Sequence, residues 1–324
     1  MECAQFIKEI GRGKEGARSL NQEQAYLLWK AVLEGDVSDL ELGAILLALR
    51  IKGESVQELA GFLQACHATI QPLPALPGVP VVIPSYNGAR HIPNLVPLLA
   101  VLLAEQGIPV LIHGVLSDPM SDLRHKGARV TTGEIFQALG LPIARHSGEL
   151  PALMAESARQ RRPVFVPIHI LAPRIARILF IRRSLGVRNS AHALVKLLQP
   201  FDGQSWRLTS YTHPEYYELL KIYLAQSSAN VMLLRGTEGE VVANARRAQR
   251  LDVFLNGEMS TPVKGEEIAL ESMTVLPASR DAATTADWTQ SVLAGERPVP
   301  APVAEQVRWC EHYVKILAEQ RLAA

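Results

Sequence analysis

The chain has 324 residues, 48% of them hydrophobic and 20% charged, and sets 33 Lys and Arg against 32 Asp and Glu. Those proportions provide apolar mass for more than one core, exclude a disordered chain and leave the net charge silent about nucleic acid. The longest apolar run, Leu95–Ala104 with Pro97 inside it, is too short to span a bilayer, so no membrane partner is expected.

The opening string MECAQFIKEIGRGKEG carries no apolar signal core. Residues 3–10 and 21–34 then carry amphipathic helical patterns. Ser38-Asp-Leu-Glu41 and Ser55-Val-Gln-Glu58 are capping boxes, in which a serine and a glutamate three residues on exchange hydrogen bonds with backbone N–H groups. The first closes its helix at Gly53. A stiff linker with Pro72, Pro74, Pro77 and Pro80 follows. Beyond it the pattern changes to buried-strand runs alternating with helices. Residues 79–84 are the first strand, 93–106 a helix, 109–114 a strand, and Thr131–Glu134 the cap of a short helix ending at Gly140. Residues 163–168 and 229–234 give a third and a fourth strand, and 251–255 a fifth. Two tail helices lie near 284–294 and 302–320. This alternation predicts an α/β fold with a mostly parallel sheet behind a small helical domain. Cys3, Cys66 and Cys310 form no Cys-x-x-Cys pair, which argues against a disulfide framework or a zinc site and for a reducing, cytoplasmic setting.

Charge is distributed unevenly. From Glu156 to Asp202 there is no acid between, but there are nine basic residues: Arg159, Arg161, Arg162, Arg174, Arg177, Arg182, Arg183, Arg188 and Lys196. A one-sign stretch in a balanced chain creates a local positive field, and the guanidinium fork suits phosphate. Pro173 opens a helix read as running from Arg174 to Leu185, apolar nearly all round, with its arginines on no single face.

The string FIRRSLGVRNSAHALVKLLQP (180–200), His113-Gly114 at a strand end, TTGEIFQALG (131–140) and the Gly236/Glu238/Gly239 loop together resemble the anthranilate phosphoribosyltransferase family, glycosyltransferase family 3. The resemblance covers nearly the whole chain. It implies a helical dimerisation domain of residues 1–70 plus about 172–198, an α/β domain of 71–171 plus 199–324, a ligand at the hinge, and a homodimer through the N-terminal helices.

Departures from that pattern bear on activity. Where the family has a Gly-Thr-Gly-Gly-Asp diphosphate loop, this chain reads Pro84-Ser85-Tyr86-Asn87-Gly88. Val115 and Ile112 replace an asparagine and a lysine beside His113-Gly114. Val241 and Val242 stand where the family's Asp-Glu pair holds magnesium. EIGRGK (9–14), IPSYNGAR (83–90), GVRNSAH (186–192), HPEY (213–216) and GTEGEV (236–241) resemble the YbiB-type branch, which keeps the fold and binds nucleic acid.

The expectation is a catalytically degenerate fold that binds nucleic acid, single-stranded DNA or RNA, in a basic groove between the domains. Arg174, Arg177, Arg182, Arg183 and Arg188 would line that groove. Tyr86, Asn87 and Arg90 would form a nucleotide platform, although Asn-Gly is also a favoured turn pair. His113, Gly114, Asn189 and His192 would face the ligand pocket. No catalytic residue, metal or cofactor is expected. The rival is an active phosphoribosyltransferase, with magnesium. Glu238 and Glu240 are read as a loop turn rather than a metal site.

Overall fold

The computed structural model describes residues 3–13, 15–117, 128–266 and 275–323. Lys14 of the EIGRGK string lies outside them. In chain order the elements are α1 (Ala4–Ile10), α2 (Gln22–Glu34), α3 (Asp39–Lys52), α4 (Val56–His67), β1 (Val81–Ser85), α5 (Val96–Glu105), β2 (Val110–Gly114), α6 (Thr132–Ala138), α7 (Leu150–Arg159) and β3 (Val164–Pro167). They continue with α8 (Ile168–Leu171), α9 (Pro173–Phe180), α10 (Arg182–Leu185), α11 (Ala191–Leu194), β4 (Trp206–Tyr211), α12 (Pro214–Gln226), β5 (Val231–Arg235), β6 (Leu251–Leu255), β7 (Glu258–Val263), α13 (Ala282–Leu293) and α14 (Ala301–Ala323). The chain divides into a helical unit (Met1–Pro72, Leu171–Pro200 and Glu218–Tyr223) and a sheet unit (Leu73–Ile170, Phe201–Tyr217 and Leu224–Ala324).

In the helical unit, the capping boxes at Ser38 and Ser55 both form, and Asn21 with Gln24 adds a third at α2. Glu58 does more than cap. Its fully buried carboxylate accepts the Ser55 and Leu20 N–H groups at 2.8 and 3.0 Å and the Lys52 ammonium at 2.6 Å. It thereby ties the end of α3 to the start of α4 and the approach to α2. A buried carboxylate is tolerated there because its oxygens are matched by donors and a cation. Cys3, Cys66 and Cys310 are buried free thiols, and burial pushes those of Cys66 and Cys310 up to about 12.

The sheet unit holds seven strands in the order β3-β2-β1-β4-β5-β6-β7. The first five are parallel; β6 pairs antiparallel with β5, and β7 antiparallel with β6. Val81, Ile83, Ile112, Leu208, Met232 and Leu234 pack with α5, α13 and α14 into its core. Trp206 stacks on Tyr313 of α14 at 5.1 Å with planes 3° apart. The sequence reading omits β4, β7, α7, α8 and α12. In consequence 229–234, read as the fourth strand, is the fifth. β4 escapes the apolar-run criterion because Arg207, Thr209 and Ser210 interrupt it, although Thr209 and Ser210 are buried.

The arginine helix also differs from its reading. It breaks at Ile181 into α9 and the single turn α10. α9 is amphipathic rather than apolar all round: Ile175, Ala176, Ile178 and Leu179 are buried, and Arg174 and Arg177, one turn apart, share the exposed face. Arg182 and Arg183 belong to the separate turn, which is why no continuous helix places all four together.

Candidate functional site

Strands β1, β2 and β3 run to one side of the sheet and β4 and β5 to the other, so the strand order reverses between β1 and β4. In open parallel sheets the crevice at such a point, beyond the carboxyl ends of the strands, is the usual ligand position. β1 and β4 pair only at Val81–Trp206 and Val82–Arg207. Pro84 has no N–H with which to extend the ladder. The chain leaves β1 through Ser85, Tyr86, Asn87 and Gly88, the stretch that the sequence resemblance matches to a diphosphate loop.

The N–H groups of this loop are already occupied. Glu240, 2% exposed, accepts the Asn87 N–H at 2.7 Å, the Gly88 N–H at 2.6 Å and the Ser85 hydroxyl at 2.6 Å. Because Ser85 spends its proton on Glu240, the 2.7 Å contact with Thr132 has the Thr132 hydroxyl donating. Thr132 in turn accepts from the Asn94 amide at 2.8 Å. The next stretch of loop repeats the arrangement. The Glu238 carboxylate accepts the N–H groups of Arg90 (2.6 Å), His91 (2.9 Å) and Ile92 (3.3 Å). Guanidinium groups hold the loop's carbonyls: Arg129 donates to Asn87 and Gly88, and Arg280 donates to Arg90.

The turn that delivers the glutamates needs its glycine. Glu238 has φ 54° and Gly239 φ 91°. A Cβ at Gly239 would lie 2.4 Å from Nδ2 of Asn87, which donates to the Gly239 carbonyl at 2.8 Å. Ser210 at the end of β4 donates to the same carbonyl at 3.0 Å. The loops after β1 and β5 are thus interlocked across the end of β4.

Convergent backbone N–H groups make an anion cradle. Here the chain supplies the anions itself, from Glu240 and Glu238. A small, partly open pocket lies beside them, lined by Gly88, Ile92, Asn94, Glu238 and Glu240. With two carboxylates in its wall, it opposes a diphosphate by like charge. Nor do the residues fit a magnesium ion. Val241 and Val242 are buried hydrocarbon, and the described residues contain no group of three acidic, histidine or cysteine side chains able to hold a metal.

His113 and Gly114 sit at the base of the loop. His113 is fully buried, with Nδ1 2.6 Å from the Tyr86 hydroxyl, and its Nε2 has no partner among the described residues. Burial pushes its pKa down to about 3, so the ring is neutral at pH 7. Burial, with a smaller contribution from Glu240, holds the Tyr86 phenol well above its ordinary value. Gly114 lets β1 and β2 close up, since a Cβ there would meet the Ser85 carbonyl at 1.9 Å. The Tyr86 hydroxyl is committed to His113, and Asn87 to Gly239. Of the expected platform residues, only the Arg90 side chain stands exposed.

The arginines of the helical unit have divided roles. Arg174 is 3.7 Å from Glu34. Arg177 donates to the Val32 carbonyl at 2.6 Å and lies over Gly35, where a cation suits the carboxyl end of α2. Arg183 lies 5.9 Å from the Phe180 ring centroid. Arg182 and Arg183 are exposed, and among the described residues neither has a carboxylate at ion-pair distance. Asn189 is a buried corner: its amide donates to Ile178 at 2.9 Å and its side-chain oxygen accepts the Ala191 N–H at 3.0 Å. His192 is pushed down to about 3, first by burial and then by Arg188, Arg182 and Lys196. The expected residues therefore form two groups. Tyr86, Asn87, Arg90, His113 and Gly114 lie in the sheet unit, and the remaining arginines with Asn189 and His192 in the helical unit.

The sequence reading does not reach the carboxylate ligation by Glu238 and Glu240, nor the parts of Thr132, Asn94, Arg129 and Arg280. The one available signal is the Thr-Glu-Gly-Glu turn itself, which sets two acids around a flexible residue.

Residues 4–69 match the helical bundle domain of the glycosyl transferase family. YbiB of Escherichia coli is 40% identical over 313 residues, covering 96% of this chain and 93% of that protein. Anthranilate phosphoribosyltransferase 2 of Ralstonia nicotianae is 24% identical over 230 residues, covering 71% and 63% of the two chains. Among solved structures, anthranilate phosphoribosyltransferase of Thermus thermophilus superposes with TM-score 0.72 at 20% identity, covering 97% of this chain and 89% of that one. The Saccharomyces cerevisiae enzyme, in complex with PRPP and Mg, gives 0.71 at 14% identity, with coverage of 97% and 90%. At such identities these two establish a common fold.

The loop geometry sets a stability test. Replacing Glu240 by alanine leaves two backbone N–H groups and the Ser85 hydroxyl without their acceptor, at roughly 1–3 kcal/mol each before water enters. The expected loss in urea unfolding is about 3 kcal/mol. A loss below about 1 kcal/mol would mean that the loop is held by other contacts.

Proposed function

Because the chain belongs to the family of Escherichia coli YbiB, within the anthranilate phosphoribosyltransferase-like fold, we propose that it binds single-stranded DNA or RNA through phosphate contacts and does not transfer phosphoribosyl groups. The placement of charge carries this reading. Carboxylates fill the loop where a diphosphate would lie, while Arg182 and Arg183 stay exposed without acidic partners among the described residues. Arg188 and Lys196 add to the same positive potential around His192. Guanidinium groups that neutralise backbone phosphates release condensed counterions, and that release drives binding. Such contacts position a strand without reading its bases, so sequence preference is weak. The reading requires no cofactor.

We further propose a homodimer formed by a second copy on α3. Leu40, Leu47 and Ile51 fall on one face of that helix and are 85%, 46% and 61% exposed. An apolar stripe of this kind on a soluble surface calls for a cover. Leu47→Glu is expected to convert a particle of twice 35.5 kDa into one of 35.5 kDa in light scattering. A monomeric wild type, or an unchanged variant, removes this interface.

A second reading, phosphoribosyl transfer from phosphoribosyl diphosphate, draws support from the names of the anthranilate phosphoribosyltransferase relatives and from the common fold. The buried Val241 and Val242 and the carboxylate-filled loop stand against it.

A titration with single- and double-stranded oligonucleotides at several salt concentrations tests the first reading. With four to six phosphates neutralised, the logarithmic salt slope for single strands is expected at about −3 to −4. Changing Arg182, Arg183 and Arg188 together to alanine is expected to weaken binding and flatten the slope by about 2. Salt-independent binding, or unchanged binding by the folded triple variant, would contradict the reading. Magnesium-dependent turnover of phosphoribosyl diphosphate with an aromatic acceptor would establish the second reading instead.

A further inference from the structure

We propose that Tyr211, Tyr217, Arg235 and Arg250, all in the sheet unit, form a stacking subsite for an unpaired nucleobase and its phosphate. The proposal deepens the nucleic-acid reading and rests on it, but it stands on residues that the arginine segment does not include.

Tyr211 ends β4 and Arg235 ends β5, and the two are register partners in the parallel ladder. The Tyr211 and Tyr217 rings lie 4.8 Å apart at 43°, both half-buried. The Arg250 guanidinium lies 5.7 Å from the Tyr217 centroid. Beneath the cluster is Asp252 of β6, 1% exposed. Its carboxylate accepts the Tyr217 hydroxyl at 3.0 Å, Nε of Arg250 at 3.0 Å and the Thr261 hydroxyl at 2.6 Å. This one buried acid fixes the orientation of both a ring and a guanidinium plane. Arg235 is exposed. Both Arg235 and Arg250 stand close enough to Tyr211 to oppose the rise in its phenol pKa that burial causes.

The chemistry of this cluster selects its ligand. Two tilted rings offer partly exposed faces, and every base has a π-face to lay on them, whatever the sequence. Arg235 and the outer nitrogens of Arg250 supply donors for the adjoining phosphate. A duplex keeps its bases stacked and paired and gains little here, so the subsite selects an open strand. A free phosphate would use the arginines alone and ignore the rings.

The test compares a single-stranded oligonucleotide with a strand of equal length whose central nucleotides are abasic, by fluorescence anisotropy. The wild type is expected to bind the base-bearing strand several-fold more tightly. Tyr211→Ala is expected to weaken that strand about 5- to 100-fold, leaving the abasic strand and the salt slope unchanged, and Tyr211→Phe is expected to retain binding. Equal wild-type affinity for the two strands, or an equal loss on both in Tyr211→Ala, would overturn the subsite while leaving the phosphate-driven reading intact. Absence of wild-type binding to either strand would overturn both.

Discussion

A single buried carboxylate governs the crevice at the sheet's switch point. Backbone N–H groups that converge there must find an acceptor, because buried and unpaired each would cost about 1–3 kcal/mol. Glu240 supplies that acceptor from a loop 152 or 153 residues away in sequence, and Glu238 extends the device to the following residues. The end of β1, the turn after β5 and the hydroxyl relay through Thr132 to Asn94 are thereby one connected structure. The same bonds decide what the crevice can accept. The Asn87 and Gly88 N–H groups, already bonded to Glu240, are not open donors for a diphosphate, and the hydrocarbon side chains of Val241 and Val242 offer no oxygen to a metal.

Positive charge serves more than one purpose. Arg177 caps the carboxyl end of α2, Arg129 and Arg280 hold loop carbonyls, and Arg250 is aligned by a buried aspartate. These guanidinium groups are part of the fold's own polar accounting. Arg182 and Arg183 are not: they project from a short turn with no acid nearby among the described residues. Within one arginine-rich segment, then, structural and surplus cations are separable.

How much was legible in the sequence follows from the range of the interactions. The capping boxes at Ser38, Ser55 and Thr131 are local codes, and each helix start appears where the code places it. The fold class was also legible, since apolar strand runs alternating with helices specify a mostly parallel sheet. β4 was not, because its buried face includes Thr209 and Ser210, polar groups that only tertiary hydrogen bonds make acceptable in a core. The break at Ile181 was hidden for a related reason: helix propensity continues through Arg182–Leu185, while the backbone turns. In the site, the contrast of Pro84–Gly88 and Val241–Val242 with the resembling family's glycine-rich loop and Asp-Glu pair rests on the sequence alone. The pairing of Glu240 with Asn87 and Gly88 was not legible, since it exists only once distant strands lie side by side.

Amide hydrogen exchange at Asn87 and Gly88 tests the occupied-cradle account most directly, in the free protein, with phosphoribosyl diphosphate and magnesium, and with a single-stranded oligonucleotide. The account predicts slow exchange at both amides in the free protein, no change on adding phosphoribosyl diphosphate, and new protection across Arg182–Arg188 on adding the oligonucleotide. Fast exchange at Asn87 and Gly88 that slows when phosphoribosyl diphosphate is added would contradict it, because those amides would then be open donors awaiting a phosphate.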